Sequence, residues 1–253
     1  MGRFGSRTIK GAVAAIAAVG LVAGTGSPVG ATHAWGDYHW ARKANPFTLK
    51  LGDNVNSTWD PYLVTTSSDW STSGVLDTAI VTGGANPKTC KATAGMVQIC
   101  NSTYGNNGWL GVAQIWTSGS HITQGTVRLN DTYFNTAKYN TLAWRNLVMC
   151  QEVGHTLGLN HQDESFNNPN LLTCMDYTND PSTNQHPNQH DYELLVAIYA
   201  HSDSTTTVSA STTSSRAPAS WGRLVSGSDR SGHVSIHVKK VRDQLVFTFV
   251  IWA

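Results

Sequence analysis

The sequence predicts an α+β fold, a mixed twisted sheet followed by helices, on three observations. Short stretches alternating apolar and polar side chains occupy much of residues 46–130, and a helical repeat starts near residue 141. Four cysteines follow a leader with the make-up of an export signal.

Taken in order, Pro46-Phe47-Thr48-Leu49-Lys50-Leu51 alternates with the period of a half-buried strand, and Gly52-Asp53-Asn54 supplies a turn. Asp60-Pro61 has the form of a helix N-cap followed by proline, with Tyr62, Leu63 and Trp70 giving partial helical spacing. Residues 75–82, 110–116 and 126–130 read as further strands. From Thr141 a helix carries Leu142, Leu147, Val148, Val153 and Leu157, which it is expected to bury beneath the sheet. Another helix opens at His190-Asp191 and runs to about Tyr199. Residues 203–220 are dominated by Ser and Thr and predict a flexible linker. Beyond them, Val234-Ile236-Val238 and Leu245-Phe247-Phe249-Ile251 alternate and predict a small β-hairpin turning near Arg242-Asp243, too small for a core of its own. The map is therefore a leader over residues 1–34, a main domain over 35–202, the linker over 203–220 and a hairpin extension over 221–253.

The leader sets the compartment. Arg3, Arg7 and Lys10 precede an apolar run over residues 11–24, the proportions of a secretory signal peptide, with small residues that allow cleavage after Ala31 or after Ala34. That run is short for a membrane span, no later stretch is apolar enough, and a secreted, extracellular monomer is expected. Removing its three cations takes the formal net charge from +1 to −2, which disfavours nucleic-acid binding. Four cysteines in an exported chain imply two disulfides with three possible pairings. The near pairing is the simplest: Cys90 to Cys100, closing a hairpin across a segment containing Gly95, and Cys150 to Cys174.

The chemistry concentrates in Gln151-Glu152-Val153-Gly154-His155-Thr156-Leu157-Gly158-Leu159-Asn160-His161. Residues four apart share a helix face, so Gln151 and His155 can converge on one ion with Glu152 beside them. Gly158 can end the helix in the left-handed conformation and return the chain so that His161 supplies a third donor. A catalytic zinc takes three protein ligands and keeps one position open.

This segment resembles the metzincin signature HExxHxxGxxH and is closest in wording to secreted bacterial matrixin-like members, with the first histidine replaced by Gln151. Downstream, Cys174-Met175-Asp176-Tyr177 resembles the Met-turn, the turn beneath the metal, and Tyr177 stands where some metzincin branches carry a tyrosine that steadies the oxyanion. The resemblance implies a zincin-like fold and a zinc-dependent endopeptidase. Gln151, His155 and His161 would be the ligands, Glu152 the general base, and Met175 and Gly158 structural residues, with an extended protein or peptide as substrate. The last strand before the metal helix is often the substrate-pairing edge in that family, and its counterpart would lie in residues 125–130. A neutral amide oxygen is a weaker zinc donor than imidazole. The competing expectation is therefore a catalytically weak or inactive zincin-fold protein that binds peptides or surfaces. Glu152 argues for the enzyme, since a binding module has no use for the base.

Overall fold

The structure, a computed structural model, describes residues 1–2, 33–208, 214–227, 232–233 and 235–253. The leader's apolar run, Ala31 and Val234 lie outside the described residues.

The strands are β1 (His39–Trp40), β2 (Phe47–Asn54), β3 (Leu76–Thr82), β4 (Ala92–Thr93), β5 (Met96–Ser102), β6 (Trp109–Ser118), β7 (His121–Asn130), β8 (Ser214–Ser215), β9 (Arg223–Ser226), β10 (Ile236–Val241) and β11 (Gln244–Trp252). The helices are α1 (Asp60–Trp70), α2 (Asp131–Phe134), α3 (Leu142–Thr156) and α4 (Gln189–Ile198). One sheet runs in the order β3-β2-β5-β7-β6-β11-β10-β9, with β1 paired to β7 off that path. β3, β2, β5 and β7 are mutually parallel, while β6, β11, β10 and β9 each run antiparallel to their neighbours. The result is a mixed α+β domain.

Local chemistry explains the elements that position the site. Thr141 caps α3, its hydroxyl accepting from the Trp144 amide. α3 then lays Leu147, Val148 and Val153 against β6 and β7, all buried. Leu142 departs from the predicted pattern: in the first turn it points to solvent, 63% exposed, because the helix dips under the sheet only after that turn. Gly111 on β6 makes the close approach possible, since a Cβ there would come within 2.7 Å of a Glu152 carboxylate oxygen and 2.6 Å of Val148. α1 starts at Asp60 with Trp59 as its N-cap, one residue earlier than predicted, and buries Leu63 and Trp70 against α3. α4 opens with a capping box in which Asn188 and Asp191 satisfy each other's amides.

Three further expectations are corrected. Residues 125–130 are no edge, because β7 is paired on both sides, with β5 and with β6. The Cys90–Cys100 segment is no hairpin, because β4 pairs with β8 rather than with β5. Residues 203–208 are docked rather than free: the Asp203 and Thr207 amides donate to the Arg42 and Ala41 carbonyls. β10 and β11 pair antiparallel through Arg242-Asp243, where Arg242 takes φ 57°. They pack into the main core through Ile236, Phe247 and Phe249, and so need no core of their own.

Candidate metal centre

Helix α3 carries the first half of the site. Gln151, Glu152 and His155 are buried at 0–1% exposure. The helix ends at Leu157, and Gly158 follows at φ +98° with the Tyr38 carbonyl 2.4 Å from where a Cβ would sit. Only glycine combines that dihedral with that space. The chain turns back there and brings His161 against His155, their rings perpendicular with centroids 4.6 Å apart.

Each imidazole is oriented through its Nδ1. His155 Nδ1 is 3.0 Å from the Leu159 carbonyl, and His161 Nδ1 is 3.3 Å from Glu164 Oε1. This is the outer hydrogen bonding that fixes metal-ligating histidines with Nε2 free. His161 Nε2 is buried and has no hydrogen-bond partner. Burial lowers both histidine pKa values, and for His155 the neighbouring His161 adds to the effect, so both rings are held neutral. Neutral imidazoles are what a metal needs.

Gln151 donates from Nε2 to the Cys174 carbonyl at 2.7 Å, while its Oε1 is buried without a partner. A buried amide oxygen left unpaired is costly unless something fills it, so the donor set of two imidazoles and one amide oxygen fits a zinc ion, with Oε1 as its weakest member. Burial also pushes the Glu152 pKa well above the ordinary carboxylate range. The backbone of Ala113 and Ile251 and the charge of Arg128 oppose that shift, though neither carboxylate oxygen has a hydrogen bond of good geometry among the described residues.

The segment after His161 closes the underside. Cys150 and Cys174 are bonded, as are Cys90 and Cys100. Met175 is fully buried, and its Sδ lies 2.6 Å from where a Cβ on Gly154 would be, so Gly154 leaves the space that Met175 fills. Tyr177 lies on the same side, its ring 4.2 Å from that of His161 and stacked on Phe166 at 5.0 Å. His186 contacts Asp69 through Nδ1 at 2.7 Å and is half exposed.

Sequence reasoning missed four neighbours. Glu164 orients His161. His33 is buried against Asp191 at 3.0 Å, close enough to act on both site histidines. Phe249 of β11 stacks flat on His155, with centroids 4.4 Å apart at 10°. Ile251 of the same strand lies beside Glu152. Glu164 alone left a signal, an acid three residues after a candidate ligand.

No family model matches the chain, and no curated protein matches it. Among solved structures it is similar to high choriolytic enzyme 1, a hatching-enzyme zinc-protease from Oryzias latipes (Medaka fish). The identity is 10% and the TM-score 0.35, over 64% of this chain and 94% of that one. At that level of likeness the functional reading rests on this chain's own residues. No helix among the described residues is long and apolar enough to cross a membrane.

Proposed function

We propose that this chain is a secreted zinc-dependent endopeptidase of metzincin type, with Gln151, His155 and His161 holding the metal. The observation that carries the reading is the pair of buried, neutral, Nδ1-anchored imidazoles beside a buried carboxylate with no hydrogen bond of good geometry among the described residues. Zinc there would polarise the scissile carbonyl and acidify a bound water.

The chain's own groups supply the rest. Glu152, with a pKa raised by its dry surroundings, accepts the proton of the attacking water and delivers it to the leaving amine. The Tyr177 ring packs against His161 and Phe166, and its hydroxyl would steady the oxyanion. The Cys150–Cys174 bond and the fit of Met175 against Gly154 keep α3 and the turn in fixed relation.

A second reading, a zincin-fold binding module without hydrolysis, is favoured by the complete burial of Gln151 and Glu152. The deciding measurement is zinc content together with chelator-sensitive cleavage of an unfolded protein. The enzyme reading expects Glu152→Gln to retain zinc and lose about 10²- to 10⁴-fold in rate. A chain that holds zinc through His155 and His161 yet cuts nothing, even with its C-terminal strand displaced, is the binding module.

A further inference from the structure

We propose that His39, His121, His201 and Asp203 form a second metal site, built to hold one zinc ion in a structural role. The Nε2 atoms of all three imidazoles face a single oxygen, Asp203 Oδ1, at 3.4, 3.2 and 3.7 Å, and His201 Nε2 lies 3.1 Å from His39 Nε2. Four donors around a zinc ion at about 2.0–2.1 Å are separated by tetrahedral edges of roughly 3.3–3.4 Å. The four separations here fall around that value, and the ligand atoms of His39, His121 and Asp203 all lie within 4.8 Å of one another. The other polar atoms of His39 and Asp203 are engaged elsewhere. His39 Nδ1 is 2.7 Å from the Asp37 carbonyl, and Asp203 Oδ2 accepts from the Arg42 amide at 3.1 Å and its guanidinium at 2.8 Å.

Hydrogen bonding alone accounts poorly for this arrangement. In its neutral form, donating from Nδ1 to Asp37, His39 turns the Nε2 lone pair toward a carboxylate oxygen at 3.4 Å, a repulsion that only a proton or a metal ion on Nε2 removes. A cation between them turns the repulsion into ligation. Three imidazoles and one carboxylate suit zinc, and four protein donors leave no position open for chemistry. The ion would join β1, the start of β7 and the segment after α4, positions as far apart as 39 and 203 in the chain, and stabilise the folded state in which alone they meet.

The test counts zinc per chain in the purified full-length protein by native mass spectrometry. Two ions are expected in the wild type. His121→Ala combined with His201→Ala should lose one of them and drop the thermal midpoint by several degrees, while His155→Ala loses the other. Should the double variant not fold, cobalt(II) replaces it as the probe. A His155→Ala, His161→Ala chain loaded with cobalt is expected to retain the visible absorption of a tetrahedral site. Unchanged stoichiometry in the folded double variant, or no tetrahedral cobalt spectrum, overturns the proposal.

β11 carries a second inference, which rests on the peptidase reading: residues 244–252 occupy the place of an extended substrate, and the chain folds in a self-blocked form. With β7 on one side of β6, the other side is taken by β11, antiparallel, in eight residue pairs from Leu245 opposite Thr117 to Trp252 opposite Trp109. That register sets Phe249 on the His155 ring and Ile251 against Glu152. An added peptide therefore has to displace β11 to reach either group.

To test this, a site-specific protease sequence is introduced within residues 216–220, and binding of a fluorescent extended peptide is followed before and after cutting. Binding at least tenfold tighter after the cut is expected, with faster hydrogen exchange along β6. Phe249→Glu, which leaves the chain continuous, should give the same gain. No gain from either change overturns self-blocking. A gain in peptide binding without hydrolysis overturns the peptidase reading instead.

Discussion

The two histidine clusters are built on opposite plans. The α3 centre draws its four signature residues from positions 151–161, buries them, and leaves Gln151 Oε1, His161 Nε2 and both Glu152 oxygens unpaired. The second cluster gathers residues 39, 121, 201 and 203 from three separate segments, leaves His121 and His201 one-third to one-half exposed, and turns all three Nε2 atoms toward one oxygen. A site meant to react keeps unsatisfied groups and a weak donor in a dry place. A site meant to hold is closed, four-donor and tolerant of water.

The contrast can be broken or sharpened by substitution. The largest effect should come from Cys150→Ser with Cys174→Ser. Opening that loop costs roughly 3 kcal/mol and should weaken zinc binding at α3 while leaving the second cluster loaded, as read by metal stoichiometry and denaturant unfolding. Gly158→Ala should cost about 2 kcal/mol through its left-handed backbone and the Tyr38 carbonyl that blocks a Cβ. His161 would then be misplaced, and chelator competition at α3 should report it. Gln151→His makes the α3 donors resemble those of the second cluster and should tighten zinc there at least tenfold, about 1.4 kcal/mol.

The smallest effect is acid-dependent. Burial acts to raise the Asp203 pKa, but the Arg42 amide, His39 and the Arg42 guanidinium outweigh it and hold the group at about 2. A carboxylate depressed in the folded state stabilises above the unfolded pKa, near 4, and that contribution is lost as pH falls toward 2. Metal-free Asp203→Asn should therefore lack the part of the acid unfolding transition that the parent chain shows between those limits, and a parent chain without it would contradict the Arg42 contacts.

The same contrast explains what could be read in advance. The α3 centre was legible because helix periodicity places Gln151, Glu152 and His155 within one turn and Gly158 announces the return. Most strands and helices were legible from alternation and caps, as with residues 47–51 and the Thr141 cap, whereas Gly52-Asp53-Asn54, expected to turn, continues β2 because both its neighbours pair along it. Pairing partners were not. Alternation in 245–251 gives a strand but not its neighbour, so neither the capping of His155 by Phe249 nor the interior place of β7 could be read from one chain. The second cluster has no spacing signature at all, since its ligands meet only after the sheet has formed and residues 203–208 have docked.

Strand β6 has one further consequence. Nine of its ten residues are buried, and β11 supplies its outer ladder. Were that strand to leave with nothing in its place, a long, flat, apolar edge would be offered to any extended chain, including another copy of this one. Solubility and access to the α3 centre would then be in direct opposition, and the exposed edge would be safe only where another extended chain is at hand to take it over.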